Sequence, residues 1–118
     1  MATITVVISK PPYGRLNALT GLRFATQALT DGHKVNVFFI QDGVQVPKKD
    51  TPEGLPVERF DVRGWLNKVI NGGAEMKVCG FCSDWRGLTQ DDYIKKIKVA
   101  SMKDLVDWTI ESDKVVTF

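Results

Sequence analysis

Apolar residues in this chain fall into short continuous runs, separated by stretches that repeat at helical spacing. Residues Thr3–Ser9, TITVVIS, are mostly β-branched and almost unbroken in apolarity, as a strand buried on both faces reads. Two prolines and a glycine in KPPYGR then interrupt regular structure. Beyond them Leu16, Leu19, Ala25, Ala28 and Leu29 recur at roughly helical spacing until TDGH stops them. Lys34–Ile40, KVNVFFI, is a second strand run ended by QDG. Val46–Pro56, VPKKDTPEGLP, holds three of the five prolines beside a run of charges and predicts an exposed loop.

Asp61 stands where an N-cap belongs, ahead of a helix with Val62, Trp65, Leu66, Val69 and Ile70 on one side, and Asn71–Gly73 closes it. EMKVCG is a third strand. TQDDYIKKIKV predicts a short helix running into a fourth strand near Lys98–Ala100. SMKDLVDWTIES reads as a helix with Ser101 as N-cap, and KVVTF as a fifth strand. The βαβαβ alternation predicts an α/β fold, a parallel sheet with helices on both faces and right-handed crossovers. In open sheets of this kind the functional crevice lies outside the carboxyl ends of the strands. The loops at Lys10–Tyr13, Gln41–Gly43, Cys79–Cys82 and Ser101 therefore share one edge.

Composition narrows the class. A chain of 118 residues, 43% hydrophobic and 25% charged, is a single globular domain over residues 1–118. Sixteen Lys and Arg against fourteen Asp and Glu leave a formal charge of +2, too little to predict direct nucleic-acid binding. The opening MATITVVISKPPYG carries no basic leader region, and no stretch reaches the roughly 18 apolar residues of a membrane span. The expected address is the cytoplasm, where thiols are kept reduced.

The only two cysteines, Cys79 and Cys82, stand in MKVCGFCSDWRGL. Zinc is disfavoured by counting: a structural site wants four ligands, and the single histidine, His33, precedes the second strand at the opposite edge. No metal and no cofactor are expected. A thioredoxin-like dithiol pair keeps the C-x-x-C spacing, but the pair lies past the chain midpoint and no proline follows it. Two buried, inert cysteines are a further reading, which fits Cys82 better than Cys79. The fourth is a nucleophilic or sulfur-carrying thiol. Between a strand end and a helix start, the backbone N–H groups of Gly80, Phe81 and Cys82 and the helix dipole favour thiolate, or an anionic persulfide, over thiol. Arg86, seven residues after Cys79, adds positive charge if the segment is helical, with Asp84 as the obvious ion-pair partner.

The segment resembles the DsrE/DsrF/TusD group of small sulfur-relay proteins. Their pattern has a cysteine after the third strand, followed at this distance by Arg-Gly, as Cys79 is followed by Arg86 and Gly87. Cys-Gly-x-Cys with a downstream Arg-Gly-Leu is similar to stand-alone DsrE-like members. PPYGRLNALTGLRFATQAL after the first strand and Asp42-Gly43-Val44 after the second agree with the family in order and spacing. The resemblance implies a three-layer α/β/α fold with a mostly parallel five-stranded sheet. It also implies a homotrimer or homohexamer, and a cysteine that accepts sulfane sulfur from a donor protein and passes it to an acceptor. Cys79 matches that cysteine. Many members have no counterpart to Cys82, whose part stays open between resolving a persulfide and packing.

On this reading Tyr13 and Asp42 help shape the crevice, each with a plainer alternative as loop packer or turn former. Trp85 covers the sulfur or meets a partner, whereas Trp65 and Trp108 are packing or oligomer residues. Two rivals remain: a non-catalytic binding module and a dithiol redox protein.

Overall fold

The computed structural model describes residues 1–51 and 58–118. Five strands, β1 (Thr3–Ile8), β2 (Lys34–Phe39), β3 (Glu75–Cys79), β4 (Lys98–Ala100) and β5 (Lys114–Thr117), form one sheet in the order β4-β3-β2-β1-β5. Every neighbouring pair is parallel, so the mostly parallel sheet expected is wholly parallel. Four helices accompany it: α1 (Asn17–Thr30), α2 (Val62–Asn71), α3 (Gly80–Trp85) and α4 (Met102–Glu111).

Strand alternation sorts the side chains into two layers. Val6, Val37 and Met76 lie in one row of the register, Ile8, Phe39 and Val78 in another. Both rows face α1, whose Gly21 sits so close that an added Cβ would be 3.0 Å from Ile8 Cγ1. α2 packs beside α1 on that face. The intervening row, Val7, Phe38 and Lys77, faces α4. There the Trp108 ring meets Phe38 edge-on at 5.9 Å, and Lys77 Nζ lies 4.7 Å from the Trp108 ring centre. The result is the three-layer α/β/α arrangement. β1 and β2 are central, which is why their sequences are apolar on both faces; Phe38 and Phe39 are both fully buried, each burial stabilising by roughly 1.5–3 kcal/mol.

Local signals start α2 and α4 where expected. Asp61 accepts a hydrogen bond from Arg63 N at 3.1 Å to start α2. Ser101 and Asp104 form a reciprocal capping box at the start of α4. No helix among the described residues is long and apolar enough to cross a membrane.

Two expectations are corrected. The segment TQDDYIKKIKV forms no α-helix before β4, only a 3₁₀ turn at Gln90–Asp92. Tyr93 then leaves helical backbone (φ −102°, ψ 156°) to bridge Lys48, and its buried ring and hydroxyl reach the interior. That long-range contact overrides the local helical preference. The segment from Val46 is only partly exposed in its described part: Lys49 and Asp50 face solvent, whereas Val46 is fully buried and Thr51 Oγ1 donates to Gln45 O at 2.6 Å. Arg63 Nη2 donates to the Lys48 and Lys49 carbonyls at 2.9 and 2.8 Å. Residues 52–56 of that predicted loop lie outside the described residues.

Candidate functional site

The carboxyl ends of β1, β2 and β3 meet at a single junction. After β2 the chain enters a 3₁₀ turn, Gln41–Gln45, in which Gly43 is pressed onto the end of β1. A Cβ at Gly43 would fall 2.0 Å from the Ile8 carbonyl oxygen, so only glycine fits. The turn holds Gln41 at φ 52°, a left-handed conformation that costs a residue with a side chain roughly 1 kcal/mol. That backbone aims the Gln41 N–H at Cys82, whose Sγ accepts it at 3.1 Å.

β3 runs directly into α3, with Cys79 at the N-cap (φ −64°, ψ 121°) and Cys82 one turn on. Ser83 Oγ donates back to the Cys79 carbonyl at 2.8 Å and lies 2.7 Å from the Tyr93 hydroxyl, all within the interior. This pair pins the first turn of α3 to the body of the protein. Arg86 closes the other side: its Nη1 donates to the Cys82 carbonyl at 3.1 Å, and its Nη2 pairs with Asp42.

Both cysteines are free thiols, at the N-cap and third position of α3. Cys79 is 2% exposed and Cys82 is half-buried. Burial pushes the Cys82 thiol above its ordinary range, and the neighbouring Cys79 adds to this. The Gln41 N–H and the Arg86 guanidinium oppose it. Tyr93 is also raised, chiefly by burial and against the effect of its bond to Ser83.

The structure brings Cys79, Gly80, Cys82, Arg86 and Asp42 together, and Tyr13 reaches their rim through its hydroxyl, which donates to Gln45 Oε1 at 2.8 Å. Phe81 does not line the crevice: at 83% exposed it stands on the outside of α3, four residues from the 81%-exposed Trp85. Trp85 therefore does not shield the thiols. Arg86 pairs with Asp42 rather than Asp84, because α3 ends at Trp85 and the guanidinium turns back across the junction. Its charge is thereby partly neutralised. Burial is the reverse of the packing expectation, since Cys79 is the more enclosed thiol. Trp108 is a core residue as expected, and Trp65 Nε1 donates to Arg59 O at 2.9 Å. His33 Nδ1 accepts from Ala2 N at the far edge of the sheet.

Sequence reasoning missed Gln41, Ser83 and Tyr93. Gln41 leaves no mark in sequence, because its part is a backbone conformation. Ser83, four residues after Cys79, carries the spacing of a hydroxyl that bonds back along a helix.

A family model described as DsrE/DsrF-like matches residues 2–118. The chain belongs to the DsrE/DsrF-like family. An uncharacterized protein of Methanopyrus kandleri is 47% identical over 116 residues, spanning 98% of this chain and 93% of its own. The protein named sulfurtransferase TusD in Serratia proteamaculans is 28% identical over 132 residues, with both chains covered in full. The crystal structure of the ychN protein from Escherichia coli matches this fold with a TM-score of 0.89 at 24% identity over the whole of both chains. Family membership and the α/β architecture bear out the resemblance read from the motifs.

Proposed function

We propose that this DsrE/DsrF-like protein is a small cytoplasmic sulfur carrier of sulfurtransferase type, with Cys79 as the residue that holds the sulfur. The observation that supports it is the placing of Cys79 between β3 and α3, at the sheet's carboxyl edge and beside a second free thiol. The similarity to a protein named as a sulfurtransferase adds weight. The Cys79 thiolate attacks the outer sulfur of a donor persulfide, R–S–SH. The donor S–S bond breaks, R–S⁻ departs, and Cys79–S–SH remains. An acceptor thiolate then attacks the outer sulfur, and the Cys79 thiolate leaves. Each step is an exchange whose rate follows thiolate fraction and access. The N–H groups of Gly80, Phe81 and Cys82 open the helix and are free of intrahelical carbonyl partners by position. Because Cys79 is enclosed, the donor reaches it past Cys82 and the Gln41–Gln45 turn.

Donor and acceptor proteins meet the site beside Phe81 and Trp85, whose exposed rings suit a docking surface. The reading includes a homotrimer or homohexamer, for which Met102, Val106 and Ile110 supply an exposed apolar stripe along α4. It requires no metal, cofactor, nucleic acid or membrane. The enclosure of Cys79 favours one rival, a docking module whose cysteines are inert.

Incubation of reduced protein with cysteine persulfide, followed by intact-mass measurement, separates the two. Cys82→Ser takes up one sulfur that reductant removes, while Cys79→Ser takes up none and keeps its fold by circular dichroism. Equal uptake by both variants, or uptake by neither, overturns the assignment to Cys79.

A further inference from the structure

We propose that Cys82 is a resolving thiol, which discharges a Cys79 persulfide as sulfide when no acceptor is docked; this rests on the carrier reading above. The two residues occupy the N-cap and the third position of α3. Residues three apart on a helical turn bring their Cβ atoms within about 5–6 Å, and small adjustment reaches the span of a disulfide. Both are free thiols in the structure, so the pair is available for exchange. Gln41 N–H holds the Cys82 sulfur at 3.1 Å from a turn that Gly43 locks to β1, so the attacking atom is positioned rather than mobile. Arg86 ties the Cys82 carbonyl on the same side.

The Cys82 thiolate attacks Cys79 Sγ, and the bond between Sγ and the outer sulfur breaks. The outer sulfur leaves as HS⁻ with the bonding electron pair and is protonated in solvent. The net change converts Cys79–S–SH and Cys82–SH into the Cys79–Cys82 disulfide and H₂S. The sulfane sulfur is reduced by two electrons and the thiol pair is oxidised by two, so no outside oxidant enters. A dithiol reductant then restores both thiols.

Burial of the Cys82 thiol makes this step slow at neutral pH, because little of it is thiolate there, and faster as pH rises. A docked acceptor thus has the first opportunity to take the sulfur, and venting follows only when the persulfide is left waiting.

The test loads wild type, Cys82→Ser and Cys82→Ala with cysteine persulfide, desalts them at pH 6, and transfers them to pH 8 without acceptor. Released sulfide is followed with methylene blue, and intact mass is read in parallel. Wild type releases nearly one sulfide per loaded chain and ends two hydrogens lighter than the reduced protein. Both variants keep the added sulfur at least tenfold longer and form no disulfide, and only the wild-type rate climbs between pH 7 and pH 9. Equal persulfide lifetimes in all three proteins overturn the resolving role while leaving the carrier intact. Failure of all three to take up sulfur overturns the carrier and this proposal with it.

Discussion

Replacing Gly43 with alanine strikes the contact that joins the fold to the thiols. The new Cβ would stand 2.0 Å from Ile8 O, 2.7 Å from Ile8 C and 3.2 Å from Ser9 Cα. All three are backbone atoms, so no rotamer change relieves the clash, and the turn and the end of β1 must part by roughly 1.5 Å to regain ordinary contact. That shift stretches the bond from Ile40 N to the same Ile8 oxygen, now 3.0 Å, and draws Gln41 N–H away from Cys82. Overpacking of a tight site costs about 1–3 kcal/mol, and a lost internal hydrogen bond about 1 kcal/mol more. A total of about 2–4 kcal/mol corresponds to a fall of roughly 8–16 °C in Tm for a domain of this size. Thermal unfolding followed by circular dichroism reads the first effect. The pH profile of Cys82 alkylation reads the second: the Gln41 N–H favours thiolate, so weakening it moves the titration further up. A Tm within about 2 °C of wild type, given that conversion, together with an unchanged alkylation profile, would refute the claim that Gly43 locks the turn against β1.

Arg86→Gln removes a charge that favours the Cys82 thiolate, so alkylation at pH 8 slows and its midpoint rises; an unchanged or lower midpoint contradicts the assignment. Tyr93→Phe loses the buried bond to Ser83 and about 1 kcal/mol of stability at pH 7, read by urea titration. The same variant tests a pH effect: burial raises the native phenol, so the unfolded chain ionises first near pH 10, and stability is whole below that and drains above it. Tyr93→Phe therefore loses stability less steeply than wild type across about pH 9 to 11. Asp61→Ala removes the α2 cap and lowers the urea midpoint by about 1 kcal/mol of stability at unchanged slope, while Asp61→Asn retains most of it.

The elements that were legible in sequence are those whose determinants are local. β1 and β2 announce themselves because a central strand needs apolar residues on both faces. α2 and α4 carry their own start signals in Asp61 and in the Ser101–Asp104 capping box. The site was legible as far as one motif reached, which placed Cys79, Cys82 and Arg86 near one another. What it could not reveal depends on residues distant along the chain. Arg86 finds Asp42 across 44 positions, and Tyr93 abandons a helical pattern to bridge Lys48 and reach Ser83. Likewise, the carbonyls of Lys48 and Lys49 are satisfied by Arg63, which turns an apparent loop into a fixed segment. The left-handed Gln41 follows from Gly43's approach to β1, a backbone packing fact without a residue code of its own.

The most direct test of the central claim is transfer of labelled sulfur through Cys79. Cys82→Ser protein, loaded with an isotopically labelled persulfide and mixed with glutathione, is digested at intervals and mapped by mass spectrometry. The account predicts label on the Cys79 peptide that declines in step with the appearance of labelled glutathione persulfide. Label absent from Cys79, or fixed there while glutathione stays unlabelled, would contradict a sulfur carrier.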